Sequence, residues 1–201
     1  MRMRVNISIL VLLISVFGYS QTEPELIEIA TGVDRPTALV HAADGSGRLF
    51  ICEQKGTVRI LTNTLDGHVL SRPFLDIKNK VVDGGGKGLK GMAFHPKFPY
   101  APYVFVSYIT TRSGELFSRI ERYTVIGDPN VAIAGSGRTI LEFQQPKDNN
   151  NGGDIKFGLD GMLYISVGVG GGISDPNSTT QDGSIFLGSI LRIDINGDDF
   201  P

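Results

Sequence analysis

Apolar and polar positions alternate along this chain in short bursts. In "MLYISVG" the residues Leu163, Ile165 and Val167 fall on one side of an extended backbone, while Tyr164 and Ser166 fall on the other. No segment sustains a 3.6-residue apolar period. The apolar runs are short, β-rich and bounded by Gly, Pro, Asn and Asp, which predicts an all-β chain. The bursts also repeat. "RPTALVHAADGSGRLFICEQKGTVRILT" (35–62), "KGLKGMAFHPKFPYAPYVFVSYITT" with "SRIERYTV" (87–125), and "GGDIKFGLDGMLYISVGVG" with "LGSILRIDI" (152–195) each read strand, turn, strand, loop, strand. Their matching second strands begin at Leu49, Tyr103 and Leu163. That spacing of roughly 55 to 60 residues suits β-propeller blades of about four short strands. Any single run would fit a generic antiparallel sandwich, so the repeat carries the propeller reading.

At this period the chain supplies about three blades, whereas closed rings generally need about four to eight. The fold class expected is therefore all-β, a partial propeller with open flanks, read as a fragment or truncated product. An assembly of two such halves is the alternative. At the N-terminus, "MRMRVNISILVLLISVFGYSQTEPE" places Arg2 and Arg4 before an apolar run, 7–17, and small residues at Gly18 and Ser20. This is the order of a secretory signal peptide, too short to span a bilayer comfortably. Residues 1–20 are read as that peptide and 21–201 as the propeller part, which makes the mature chain secreted or periplasmic with no membrane span.

Composition narrows the partners. The net charge of −2 comes from interspersed signs, so no basic footprint for nucleic acid exists. A small molecule or a protein fits better, and oligomeric state is left open. Cys52, the single cysteine, rules out an intrachain disulfide and reads as a small buried hydrophobe.

Candidate chemistry concentrates in "DNNNGGDIKFGLDGMLYISVGVGGG" (148–172), where glycines flank a strand at both ends but no histidine, cysteine or glutamate occurs. Glycines so placed let a backbone approach a ligand. His95 in "AFHPKF" reads as a turn cap, and His41 and His68 are too scattered to form a metal site with it. "DPNSTTQD" (175–182) and "DINGDD" (194–199) resemble calcium loops but lack a downstream bidentate glutamate, so they read as turns and no metal ligand is assigned. "DGGGKG" (83–88) reads as a flexible face loop, because no Lys-Ser/Thr closes it as a phosphate cradle. The Asn177-Ser178-Thr179 sequon matters only in a eukaryotic secretory pathway.

Three ordered motifs, "GLKGMAFHPKF", "NGGDIKFGLDGMLYISVG" and "LGSILRIDINGDDFP", resemble the glucose/sorbosone dehydrogenase family. Its members are six-bladed propellers, many of which oxidise sugars with pyrroloquinoline quinone (PQQ) and calcium. The opening "DGSGRLFICEQKGTVRIL" is also similar to hedgehog-interacting-type propellers, which are binders. The resemblance implies a catalytic base, a histidine, at Asn150, followed by Asn151, Gly152 and Gly153. It implies an orienting aspartate at Val169, between Gly168 and Gly170. A Gln or Glu is implied at Gly86, and Asn149 completes the expected face toward a sugar or glycan. A histidine suits proton abstraction because its pKa lies near operating pH; an amide and an aliphatic chain do not. The family's main PQQ and calcium segments would lie beyond Pro201. The function expected is therefore that of a dehydrogenase-like propeller with a degenerate site, the alternative being a non-catalytic carbohydrate- or protein-binding propeller.

Overall fold

A computed structural model describes residues 24–62, 67–172, 180 and 182–196. The signal-peptide reading, the sequon, most of 175–182 and the end of 194–199 lie outside the described residues. Among the described residues eleven strands form three antiparallel sheets. The first contains β1 (Pro36–His41), β2 (Leu49–Glu53), β3 (Thr57–Leu61) and β4 (Leu75–Asp76), in that order. The second contains β5 (Leu89–Phe94), β6 (Tyr103–Arg112), β7 (Glu115–Thr124) and β8 (Arg138–Gln145). The third runs β9 (Gly152–Phe157), β10 (Leu163–Val167) and β11 (Ile190–Ile193). The second strands begin at Leu49, Tyr103 and Leu163, where the repeat places them. The fourth strands, β4 and β8, extend the first two units beyond the sequence plan.

The strands β1, β5 and β9 lead their sheets, and β5 packs against both of the others. They are the inner strands of successive blades. Period-two alternation sends each side of the second sheet to a different neighbour. Met92, Phe94, Val104, Val106 and Tyr108 enter a core shared with Phe50, Cys52, Ile60 and Phe74 of the first sheet region. Ala93, Phe105 and Ile120 enter a second core with Ile155, Leu163, Ile165 and Val167 of the third. The first core is aromatic: Phe50 lies 4.8 Å from Phe74 and 4.7 Å from Phe94, centroid to centroid. Such pairs contribute about 0.5–1.5 kcal/mol beyond area burial. Cys52 is fully buried there, and desolvation pushes its thiol up to about 12.

A polar clamp closes the rim of the first seam. Tyr108 donates to the buried Glu121 carboxylate at 2.7 Å, Tyr123 at 2.5 Å and Lys80 at 2.9 Å. Burial alone would raise the Glu121 pKa. The bonds from Tyr123, Tyr108 and Lys80 outweigh it and hold the carboxyl below its ordinary value. Lys80 comes from the loop after β4, so the clamp ties the first sheet's outer edge to β7. The flanks facing away from the seams carry exposed apolar side chains, with Leu39 57% and Ile190 75% exposed. Among the described residues no helix is long and apolar enough to cross a membrane.

Candidate functional site

Two turns and one loop meet at the end of the second seam. The turn before β9 bends sharply, with Asn150 at φ 52° and Gly152 at φ 70°. A left-handed asparagine is tolerated because its short polar chain bonds locally. The Asn150 side chain donates instead to the Gly172 carbonyl, 22 residues on, while the Asn150 backbone carbonyl accepts from Gly170 N–H at 2.9 Å. These bonds fasten the turn to the segment after β10, and positions 150 and 169 are thereby brought together. The approach admits no side chain at Gly168, whose Cβ would stand 1.9 Å from the Asn150 oxygen. A Cβ at Gly170 would fall 2.7 Å from Pro146.

The third component is the loop ahead of β5. A Cβ on Gly86 would meet the Asp148 carbonyl at 2.9 Å and the Asn149 Cα at 3.0 Å, and Lys87 pairs with Asp148 at 3.3 Å. Gln54 fixes this loop from the first sheet by donating to the Gly85 and Lys87 carbonyls at 3.0 and 2.8 Å. Asn149, Asn150 and Gly152 are exposed. Asn151, grouped with them in the sequence, is buried; it donates to Gln145 Oε1 and the Lys147 carbonyl, both at 2.9 Å. Its role is to hold the turn from within. Gly153 is buried too, and Val169 is half-buried between its glycines.

One further residue belongs to this frame and escaped the motif reading. Lys90 donates from Nζ to the Gly86 carbonyl at 2.9 Å, and its Cβ stands 2.7 Å from where a Gly153 side chain would begin. Desolvation lowers its pKa. The signal for it was a lone cation inside the otherwise uncharged run "GLKGMAF". Lys90 also lines a cavity of about 610 Å³ along the inner strands, with Thr37, His41, His95, Asp154 and Phe157 among its walls. His95 itself caps its turn, Nδ1 accepting from Lys97 N–H at 3.1 Å.

This arrangement of frame and blades has relatives. The sequence pattern described as Glucose / Sorbosone dehydrogenase matches residues 33–200. The chain belongs to the glucose/sorbosone dehydrogenase family. It is 36% identical over 182 residues to Hedgehog-interacting protein of Mus musculus, covering 85% of this chain and 26% of that one. It is 30% identical over 200 residues to the HIPL2 protein of Arabidopsis thaliana, covering 79% and 29%. Among solved structures it resembles the PQQ-bound aldose sugar dehydrogenase of Streptomyces coelicolor, with a TM-score of 0.67 and 25% identity. That match covers 84% of this chain and 47% of the other. The chain thus spans little more than a quarter of these sequence relatives and about half of the solved dehydrogenase, so the all-β fold is a partial propeller.

Among the described residues no group of three or more His, Cys, Asp or Glu could hold a metal ion. Asn150 cannot act as a base at any pH, and Val169 cannot orient one. The residues at these two positions therefore do not fit the proton-transfer pair that the family resemblance implies.

Proposed function

We propose that this chain is a secreted glucose/sorbosone dehydrogenase-family propeller segment whose glycine-framed face binds carbohydrate without oxidising it. The observation that carries this reading is the use made of Asn150. Its side-chain amide donates to the Gly172 carbonyl and its backbone carbonyl accepts from Gly170 N–H, so the position expected to move a proton works as a fastener. The frame around it keeps backbone and small residues at the surface, which is how a binding face admits a sugar ring closely. The similarity to hedgehog-interacting proteins supports a binding role, and the partner is a small sugar or glycan, not nucleic acid. The basic and apolar start of the chain supports secretion; N-terminal sequencing of the exported protein should begin at Gln21.

PQQ-dependent sugar oxidation is the second reading, favoured by the likeness to a PQQ-bound dehydrogenase. Two assays separate the readings. Purified protein supplied with PQQ, calcium and a dye acceptor should give no aldose-dependent dye reduction, while a glycan array should show binding above background. Turnover that Asn150→Ala abolishes would overturn the non-catalytic reading, and an array without signal would overturn the binding one.

A further inference from the structure

We infer that Lys90 makes the framed face selective for a sugar bearing a negative charge, a uronate being the simplest such ligand. This deepens the carbohydrate-binding reading and rests on it. The ammonium is half-buried and donates to the Gly86 carbonyl at 2.9 Å. An ammonium has three donors, and a partly desolvated cation is unfavourable until an anion or enough acceptors surround it.

Its charged neighbours do not meet that need. Asp148 is engaged by Lys87 at 3.3 Å, and Asp154 by Lys156 at 3.4 Å. Among the described residues Lys90 forms no ion pair. The two neighbouring pairs neutralise themselves, so neither carboxylate is left to answer the Lys90 ammonium. Its place is also right for a ligand. Gly86 lies on one side and Gly153 on the other, and the absence of a side chain at Gly153 leaves the lysine stem room. The inner-strand cavity of about 610 Å³ opens beside it, large enough for a monosaccharide. A charge-assisted hydrogen bond from the ammonium to a carboxylate is roughly twice as strong as a neutral one to a hydroxyl.

The test is calorimetric titration of the full chain with methyl glucuronide and methyl glucoside, closed-ring sugars differing in charge. The wild-type protein should bind the glucuronide at least about tenfold more tightly, which corresponds to about 1.4 kcal/mol. Lys90→Met should erase the preference to within about twofold, and Lys90→Arg should retain most of it. Should Lys90→Met fail to fold by circular dichroism, Lys90→Gln serves in its place. Equal affinity for the two sugars, or a preference that survives loss of the lysine, would overturn the inference and leave carbohydrate binding standing. Binding of neither sugar would overturn the inference, and the glycan array decides the carbohydrate-binding reading separately.

Discussion

The two seams between sheets are built differently. The seam between β1–β4 and β5–β8 is lined by fully buried phenylalanines and closed by the Glu121 clamp. That between β5–β8 and β9–β11 buries one phenylalanine, Phe105, among mainly branched aliphatic chains and is surrounded by half-buried residues such as Phe143, Phe157, Leu187 and Leu191. The glycine frame lies at the end of the second seam. In this molecule the larger buried cluster joins the first two sheets, and the turns of the frame sit beside the smaller one.

The contrast can be broken most severely at the first seam. Phe74→Ala should cost about 3–5 kcal/mol in urea unfolding, because a fully buried ring leaves a cavity between two other rings. A cost no greater than that of a second-seam truncation would remove the distinction. Gly168→Ala comes next, about 1–3 kcal/mol from overpacking against the Asn150 carbonyl. Its larger effect should be on ligand binding, since the 150 turn must move; sugar affinity unchanged by this substitution would show that the frame is not the site.

The clamp offers a test in pH. The folded pKa of Glu121 lies below its ordinary 4.5, so its stabilising contribution is complete above that value. It is lost as pH falls below about 4.5 toward the depressed folded pKa. Glu121→Gln should cost about 1–3 kcal/mol at neutral pH, through weakened hydrogen bonds to charged and buried partners, and should flatten this acid limb of the stability profile. The smallest expected effect is that of Ile165→Val, about 0.5–1.5 kcal/mol at the second seam, with sugar affinity unchanged.

The blades were legible because alternation is a local property. Leu163, Ile165 and Val167 face one core in the structure as they do in the pattern. β4 was missed because two residues carry no period, and β8 because its residues are exposed or half-buried except Gln145. The His95 turn was legible from His-Pro alone. The meeting of positions 150 and 169 came only from family resemblance, because it depends on a left-handed bend that composition does not announce. The burial of Asn151 depends on that same bend, and the importance of Lys90 depends on a neighbour across the seam. Neither is encoded in a run of adjacent residues.

Gln54 gives the frame a further property. It follows the second strand of the first sheet, yet it holds the backbone of the loop that carries Gly86 toward the third sheet. The site is therefore not modular, although the fold is. Recombination that exchanged the first blade for a foreign one of equal shape could conserve both cores and still displace the loop, so inheritance of this face runs through three units together and not through any one of them.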